Sequence, residues 1–266
     1  MNTDEILGAF PEISRADLNY LLCDIFSCNP AELPQFTELP EDKVQLLHSW
    51  ISRLQQGEPP QYILQKAWFY GLEFYVDARV LIPRYDTEVL CQALLEKLKG
   101  DETVLEIGIG SGAISITLKT HFPDLQIRGT DIDSGALEVA AINIKRHQTR
   151  IELIQADLFP QGELKYDLIV SNPPYISPAE YLALETRVQG YEPRLALWAE
   201  DDGLSIYKRI IERASNYLKD GGLLAFEHGN MQQQALLCLT ESANYKTLQK
   251  GKDLAQRDRF LILQKL

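Results

Sequence analysis

The sequence predicts an α/β protein in which helices cover both faces of a parallel sheet, with a small helical domain ahead of it. From Thr103 onward, short apolar runs alternate with stretches of helical periodicity, and repeated βα units of that kind build parallel sheets. Before residue 60, apolar residues recur at helical spacing instead. A chain of 266 residues has room for one large domain and a small appendage.

The elements follow in order. Ser14-Arg15-Ala16-Asp17 is an N-cap turn ahead of Leu18, Leu21, Leu22 and Ile25. Pro40-Glu41-Asp42 opens a second helix with Val44, Leu47, Ile51 and Leu54 on one face, and Gly57-Glu58-Pro59-Pro60 ends it. These apolar stripes are core packing of a helical domain over residues 1–60. Residues 61–85 are expected to link it to the rest. Within them Trp68–Val76 places two aromatic runs about Gly71, the pattern of a β-hairpin. Asp86-Thr87-Glu88 begins a helix through Leu98, and residues 86–266 form the large domain. Strands are expected at Thr103–Ile107, Gln126–Thr130, Ile151–Gln155, Asp167–Ser171, Leu223–Glu227 and Arg259–Gln264. Helices are expected at Ser111–His121, Ser134–Arg146, Leu204–Leu218 and Gln232–Thr240.

Composition narrows the function. Hydrophobic residues at 45% and charged residues at 24% are those of an ordinary globular protein. A net charge of −12 argues against duplex nucleic acid as the main partner, because phosphate binding needs clustered Lys and Arg. Cys23, Cys28, Cys91 and Cys238 show no CxxC pairing, so neither a metal site nor a disulfide framework is expected. Reduced thiols fit the cytoplasm. The Met1–Glu5 run is acidic and lacks an apolar signal core, and no apolar run reaches membrane-spanning length.

Two loops carry the chemistry. After the first strand comes Gly108-Ile109-Gly110-Ser111-Gly112, where missing Cβ atoms let backbone approach a ligand closely. It matches neither the longer dinucleotide fingerprint nor the Gly-Lys-Ser/Thr phosphate loop, and it resembles the cofactor loop of S-adenosylmethionine-dependent methyltransferases. Asp131, at the tip of the second strand, can accept both ribose hydroxyls of an adenosine, while Asp133 is the better cap for the helix at Ser134. Asp157 could accept from an adenine amino group, with Leu158 or Phe159 lining the ring. The second loop is Asn172-Pro173-Pro174-Tyr175, at the carboxyl end of a buried strand, where open α/β sheets hold ligands. Its prolines fix φ and remove backbone donors, so the turn presents an Asn side chain and carbonyl oxygens in a stiff frame. Such a frame accepts hydrogen bonds from a planar NH₂ group and packs an aromatic ring against it.

Together these residues resemble the HemK/PrmC-type protein glutamine N5-methyltransferases. The likeness spans nearly the whole chain: Gln61-Tyr62-Ile63-Leu64, Phe69-Tyr70-Gly71-Leu72, Leu81-Ile82-Pro83-Arg84, Thr87-Glu88, the glycine loop, Asp157-Leu158-Phe159, Val170–Ile176, Glu192-Pro193-Arg194 and Asp202-Gly203. It implies a class I, Rossmann-like methyltransferase fold with a seven-stranded, mostly parallel sheet. It also implies S-adenosyl-L-methionine as cofactor and peptide chain release factors, through the glutamine of their Gly-Gly-Gln motif, as substrates. Cofactor contacts are then expected at Gly108, Ile109, Gly110, Ser111, Gly112, Asp131, Asp157, Leu158 and Asn172. Substrate contacts fall at Asn172, Pro173, Pro174 and Tyr175, with Asn172, Pro173 and Tyr175 carrying the chemistry. The family often has Pro-Glu where this chain has Tyr85-Asp86, and Asp and Thr where it has Glu106 and Ile109. A DNA or RNA adenine-N6 methyltransferase needs the same turn, but also base flipping and a basic groove. A ribosomal-protein glutamine methyltransferase and a non-catalytic adaptor are further alternatives. The helical domain is expected to grip the body of the release factor, with the enzyme acting as a monomer and making no direct DNA contact.

Overall fold

The computed structural model describes residues 3–36 and 38–266; Met1, Asn2 and Thr37 lie outside the described residues, and with them part of the acidic Met1–Glu5 run. The chain divides into two compact units: Met1–Lys66 with Glu185–Tyr191, and Ala67–Leu184 with Glu192–Leu266.

In the first unit, helices α1 (Thr3–Ala9), α2 (Arg15–Phe26), α3 (Glu41–Gln55) and α4 (Pro60–Leu64), with a 3₁₀ turn at Leu33–Gln35, enclose an aliphatic core. Ser14 caps α2 by accepting the Asp17 N–H at 3.1 Å, an arrangement worth about 1 kcal/mol. Leu18, Leu21 and Leu22 are fully buried and pack with Leu47, Ile51, Leu54 and Ile63. Gln61–Leu64, placed in the linker from the sequence, is the body of α4, and Ile63 joins this core. Pro60 explains the turn, since its fixed φ pre-forms the first helical position. The returning segment Glu185–Tyr191 is tied in by Arg187, paired with Asp17 at 2.7 Å, and by the Tyr191 hydroxyl, which donates to the Gln56 carbonyl at 2.9 Å.

The second unit begins with the hairpin β1 (Ala67–Phe69) and β2 (Leu72–Phe74). Tyr70 and Gly71 both take positive φ, 50° and 75°, the tight turn that matches the twist of paired strands. Then come α5 (Tyr85–Leu95), β3 (Thr103–Ile107), α6 (Ala113–His121), β4 (Gln126–Asp131), α7 (Ser134–Arg146), β5 (Ile151–Gln155) and β6 (Tyr166–Ser171). Three short helices follow: α8 (Pro178–Leu182), α9 (Thr186–Tyr191, part of the first unit) and α10 (Arg194–Leu197). The chain closes with α11 (Ser205–Ala214), β7 (Leu218–Glu227), α12 (Gln233–Ser242), β8 (Tyr245–Lys252) and β9 (Asp258–Lys265).

Among the described residues the large sheet has seven strands in the order β5-β4-β3-β6-β7-β9-β8. All neighbours are parallel except β7 with β9 and β9 with β8. Strand β8 had no counterpart in the element-by-element sequence expectation. It is an edge strand in which Tyr245 alone is buried and Lys246, Lys250 and Lys252 alternate with small or polar residues. Such a strand has no apolar face to announce it, and its lysines discourage pairing with other chains. Residues 204–218, expected as one helix, split into α11 and the start of β7, where Leu218 pairs with Tyr166.

One buried side chain joins hairpin and sheet. Asn143 of α7 is fully buried. It accepts the Tyr75 N–H at 2.7 Å and donates to the carbonyls of Tyr75 and Ser111, each at 2.9 Å. Asn143→Ala leaves these backbone groups unpaired, so denaturant unfolding should report a loss of roughly 1–3 kcal/mol. A variant as stable as the wild type would mean that this clamp contributes nothing.

Candidate active site

Strand order reverses between β3 and β6, and in open α/β sheets ligands bind in the crevice at that point. Ile107 and Ser171 are register partners there, and the Ser171 hydroxyl donates to the Ile107 carbonyl at 2.8 Å. The residues that follow, Gly108 and Asn172, therefore leave the sheet side by side. Beyond them lies a cavity of about 280 Å³. Gly108, Ile109, Gly110 and Ser111 line it from one loop, and Asn172, Pro173 and Pro174 from the other. Asp131 enters from the end of β4, and Asp157 and Leu158 from the loop after β5. Two of the sequence-predicted residues are not in the lining. Gly112 caps α6 with φ at 83°, and Tyr175 sits behind the turn, packed on the core of the sheet.

The glycine loop is an open cradle. Gly108 and Gly110 hold φ at 71° and 52°, and a Cβ built on either would meet nothing within 4 Å. Side chains there would be strained and would project into free space that a ligand can use. Ile109 fits because Gly129 on β4 has no Cβ, which would come within 2.2 Å of the isoleucine side chain. Asp131 fastens the loop: one carboxylate oxygen accepts the Gly110 N–H at 3.0 Å, the other the Asp133 N–H at 3.1 Å. Each oxygen retains further acceptor capacity, and the residue lines the cavity. Asp133 caps α7 through Gly135, as its position in the sequence implied.

Leu158 takes a left-handed φ of 72°, costly for a residue with a Cβ. The buried Thr130 hydroxyl holds it there by donating to its carbonyl at 2.7 Å. Asp157 is half exposed and pairs with Arg209 of α11 at 2.6 Å, so Arg209 also reaches the cavity wall. Across the site Arg84 and the buried Glu192 pair at 2.5 Å, joining the Ile-Pro-Arg and Glu-Pro-Arg segments. Tyr85, at the departure from the family pattern, is 70% exposed and off the cavity lining.

Three side chains of consequence were not nominated from the sequence: Glu106, Thr87 and Glu227. Glu106, on β3, is 2% exposed, lines the cavity and accepts the Ser115 N–H at 2.9 Å. Burial pushes its carboxyl up to about 8, against the hydrogen bond from Ser115, with Asp131 adding to the rise. Burial likewise raises Asp131 above the ordinary aspartate value, opposed by the N–H groups of Gly110 and Asp133. A lone acid inside the apolar run Val104-Leu105-Glu106-Ile107 was the available signal. Thr87, on α5, is buried and accepts from the Asn172 amide nitrogen at 3.3 Å.

Comparison with known proteins decides the family. A family model described as the PrmC N-terminal domain matches residues 7–64, and one described as the methyltransferase small domain matches residues 85–188. The release factor glutamine methyltransferase of Streptococcus pneumoniae is 43% identical over 74% of this chain and 71% of its own length. That of Lactococcus lactis is 39% identical over 84% of each, and that of Fusobacterium nucleatum 38% identical over 94% and 73%. The chain belongs to the release factor glutamine methyltransferase family. Solved structures agree on the fold: a methyltransferase from Pyrococcus furiosus superposes with a TM-score of 0.57 at 19% identity, covering 82% of this chain and 98% of its own.

As a methyltransferase of this family the protein uses S-adenosyl-L-methionine, and the residues present fit it. The open glycine cradle suits close backbone contact, Asp131 offers acceptors for a ribose, and Asp157 and Leu158 edge the far end. Among the described residues no cluster of His, Cys, Asp or Glu is arranged to hold a metal ion. No described helix is long and apolar enough to cross a membrane.

Asp131→Ala removes a charged acceptor and the anchor of Gly110, so calorimetry should show cofactor affinity weaker by roughly 1.5–3 kcal/mol. Unchanged affinity would remove Asp131 from the site. Glu106 makes a second prediction. Its carboxyl titrates near 8 in the folded chain and near 4.3 when unfolded. Its contribution to stability is therefore complete below about pH 4.3 and is lost as pH rises through about 8. Glu106→Gln stays neutral throughout, so its melting temperature should fall less between about pH 5 and pH 8 than that of the wild type. Parallel pH slopes for the two proteins would show that another group governs the loss.

Proposed function

We propose that the protein transfers a methyl group from S-adenosyl-L-methionine to the side-chain amide nitrogen of the glutamine in the Gly-Gly-Gln motif of peptide chain release factors. Family membership supports the reaction, and one observation in the site carries its mechanism. Asn172 spends its amide nitrogen on Thr87, which leaves its carbonyl oxygen as the free end of a side chain on the cavity wall.

The bound cofactor supplies an electrophilic methyl group on a sulfonium centre. The chain's own task is to aim a weak nucleophile. A glutamine amide nitrogen shares its lone pair with the carbonyl, so it must be oriented before it can attack. Asn172 Oδ1 and the Pro173 carbonyl accept its two N–H bonds and turn the nitrogen toward the cofactor site. As that nitrogen becomes positive, the same acceptors hold it more tightly than they held the neutral amide. Pro173 and Pro174 keep the frame stiff, because a fixed φ leaves little freedom to relax away. Tyr175 supports the turn: its hydroxyl is turned inward to Glu227, at 3.3 Å. Asn172 is not basic, so the surplus proton passes to water.

We assign residues 1–60 to recognition of the body of the release factor; the match of the PrmC N-terminal domain model to residues 7–64 supports a domain of their own there. The chain's net charge of −12 favours a basic protein surface over DNA. We place its work in the cytoplasm, as a single chain. Asn172→Ala should keep the fold, checked by circular dichroism, and lose about 100-fold or more in methyl transfer from labelled cofactor to a release factor. Normal turnover by the folded variant would take Asn172 out of the mechanism.

A further inference from the structure

Two segments that line no part of the cavity meet behind the Asn-Pro-Pro-Tyr turn: Asp202-Gly203 and the loop that opens α12. A Cβ built on Gly203 would lie 2.0 Å from the Tyr175 carbonyl oxygen and 2.5 Å from Gln232 Nε2. The backbone comes so close through three successive residues with positive φ, Asp201 at 58°, Asp202 at 52° and Gly203 at 79°. Two of these carry a Cβ, and such strain persists only where the surrounding structure enforces it.

Gln232, at the N-cap of α12, fills the notch with one side-chain amide. Its Nε2 donates to the Tyr175 carbonyl at 2.9 Å and to the Asp202 carbonyl at 3.2 Å. Its Oε1 accepts the Gly229 N–H at 3.0 Å. The amide cannot be reversed, because its oxygen would then face two carbonyls and its NH₂ an N–H. The loop that carries it is itself held. The Gln232 N–H donates to the Gly229 carbonyl at 3.0 Å, and Asn230 Oδ1 accepts the Asp258 N–H of β9 at 3.2 Å.

We propose that Gln232 is a positioning residue for methyl transfer, fixing the trailing end of the Asn-Pro-Pro-Tyr turn and with it the aim of Asn172 and the Pro173 carbonyl. The turn cannot hold itself. Pro173 and Pro174 have no N–H, so between Asn172 and Tyr175 the chain has no backbone donor with which to tie itself down. Its leading end is fixed by Ser171 on the Ile107 carbonyl and by Asn172 Nδ2 on Thr87. Its trailing end is the peptide between Tyr175 and Ile176, which is pinned on both sides. The Ile176 N–H donates to the Leu197 carbonyl at 2.9 Å, and the Tyr175 carbonyl accepts from Gln232. With the second bond removed that plane can rock, and two fixed proline φ angles pass the movement on rather than absorb it. Gln232 lines no part of the cavity, so it acts on the reaction only through the turn. The proposal rests on Asn172 and the Pro173 carbonyl as the amide acceptors and adds what fixes their aim.

The test is the single-turnover rate of methyl transfer at saturating release factor and cofactor, for the wild type, Gln232→Met and Gln232→Glu. Gln232→Met keeps the length of the side chain and removes its polar atoms. Its rate should fall about 10- to 100-fold, the scale of a small misplacement. Cofactor affinity by calorimetry, and the release factor concentration giving half the maximal rate, should both stay within about twofold. Gln232→Glu offers a donor to the Tyr175 carbonyl only while protonated, so it should gain on Gln232→Met as the pH is lowered. That gain is a rescue which a merely structural role does not produce. A folded Gln232→Met protein with the wild-type rate overturns the proposal, as does one whose rate falls only together with cofactor affinity. If Asn172→Ala is inactive in the same assay, the brace alone has failed; if it too turns over normally, the amide-acceptor mechanism has failed.

Discussion

Ile107 and Ser171 face each other across the parallel pairing of β3 and β6, and the site is built outward from that register. Parallel strands point their carboxyl ends the same way, so neighbours in register release their loops at one level. Here one loop is a glycine cradle and the other a proline-stiffened turn. Because strand order reverses between them, the connections run off to opposite sides and leave a crevice free of crossing chain. A slip of one residue would turn Ser171 away from the Ile107 carbonyl and carry Asn172 to the other face of the sheet. The bond from Ser171 to Ile107, buried at the end of both strands, makes that slip costly.

The acids follow a related division of labour. The chain carries 38 acidic residues against 26 Lys and Arg, and most of that excess faces water. Glu106, Asp131 and Glu227 sit instead at the carboxyl ends of β3, β4 and β7. Burial raises the carboxyls of all three. Hydrogen-bond donors compensate each of them only in part. Asp131 is the best compensated, by two N–H groups that also shape the glycine loop. Glu106 and Asp131 both line the cavity, and perturbed carboxyls in a cleft are a mark of functional sites.

The sequence made much of this legible because its signals are local. Glycines at 108, 110 and 112, prolines at 173 and 174, and the alternation of apolar runs all constrain φ, ψ or burial within a few residues. The strands from Thr103 to Ser171 emerged nearly as read, since β-branched runs between turn residues have few other places to go. The polar edge strand β8 escaped notice for the opposite reason: its stability comes from pairing with β9 rather than from a buried face. Gly251 belongs to it because a Cβ there would strike the Phe260 ring at 1.9 Å, a constraint between residues that are close only once folded.

By itself the sequence determined the groups on offer: a glycine cradle, an acid at the tip of β4, and a stiff Asn-Pro-Pro-Tyr turn that presents an Asn side chain and carbonyl oxygens. Residue type and spacing along one strand–loop junction suffice for each of these. The tertiary structure alone decided how they are held. It set Thr87, 85 residues from Asn172, against the asparagine amide. It turned the Tyr175 hydroxyl inward to Glu227 rather than into the cavity, and it pinned Leu158 in a left-handed conformation through Thr130. Hydrogen-bond direction depends on which donor and acceptor meet across the sheet, and no local pattern along the chain encodes that meeting.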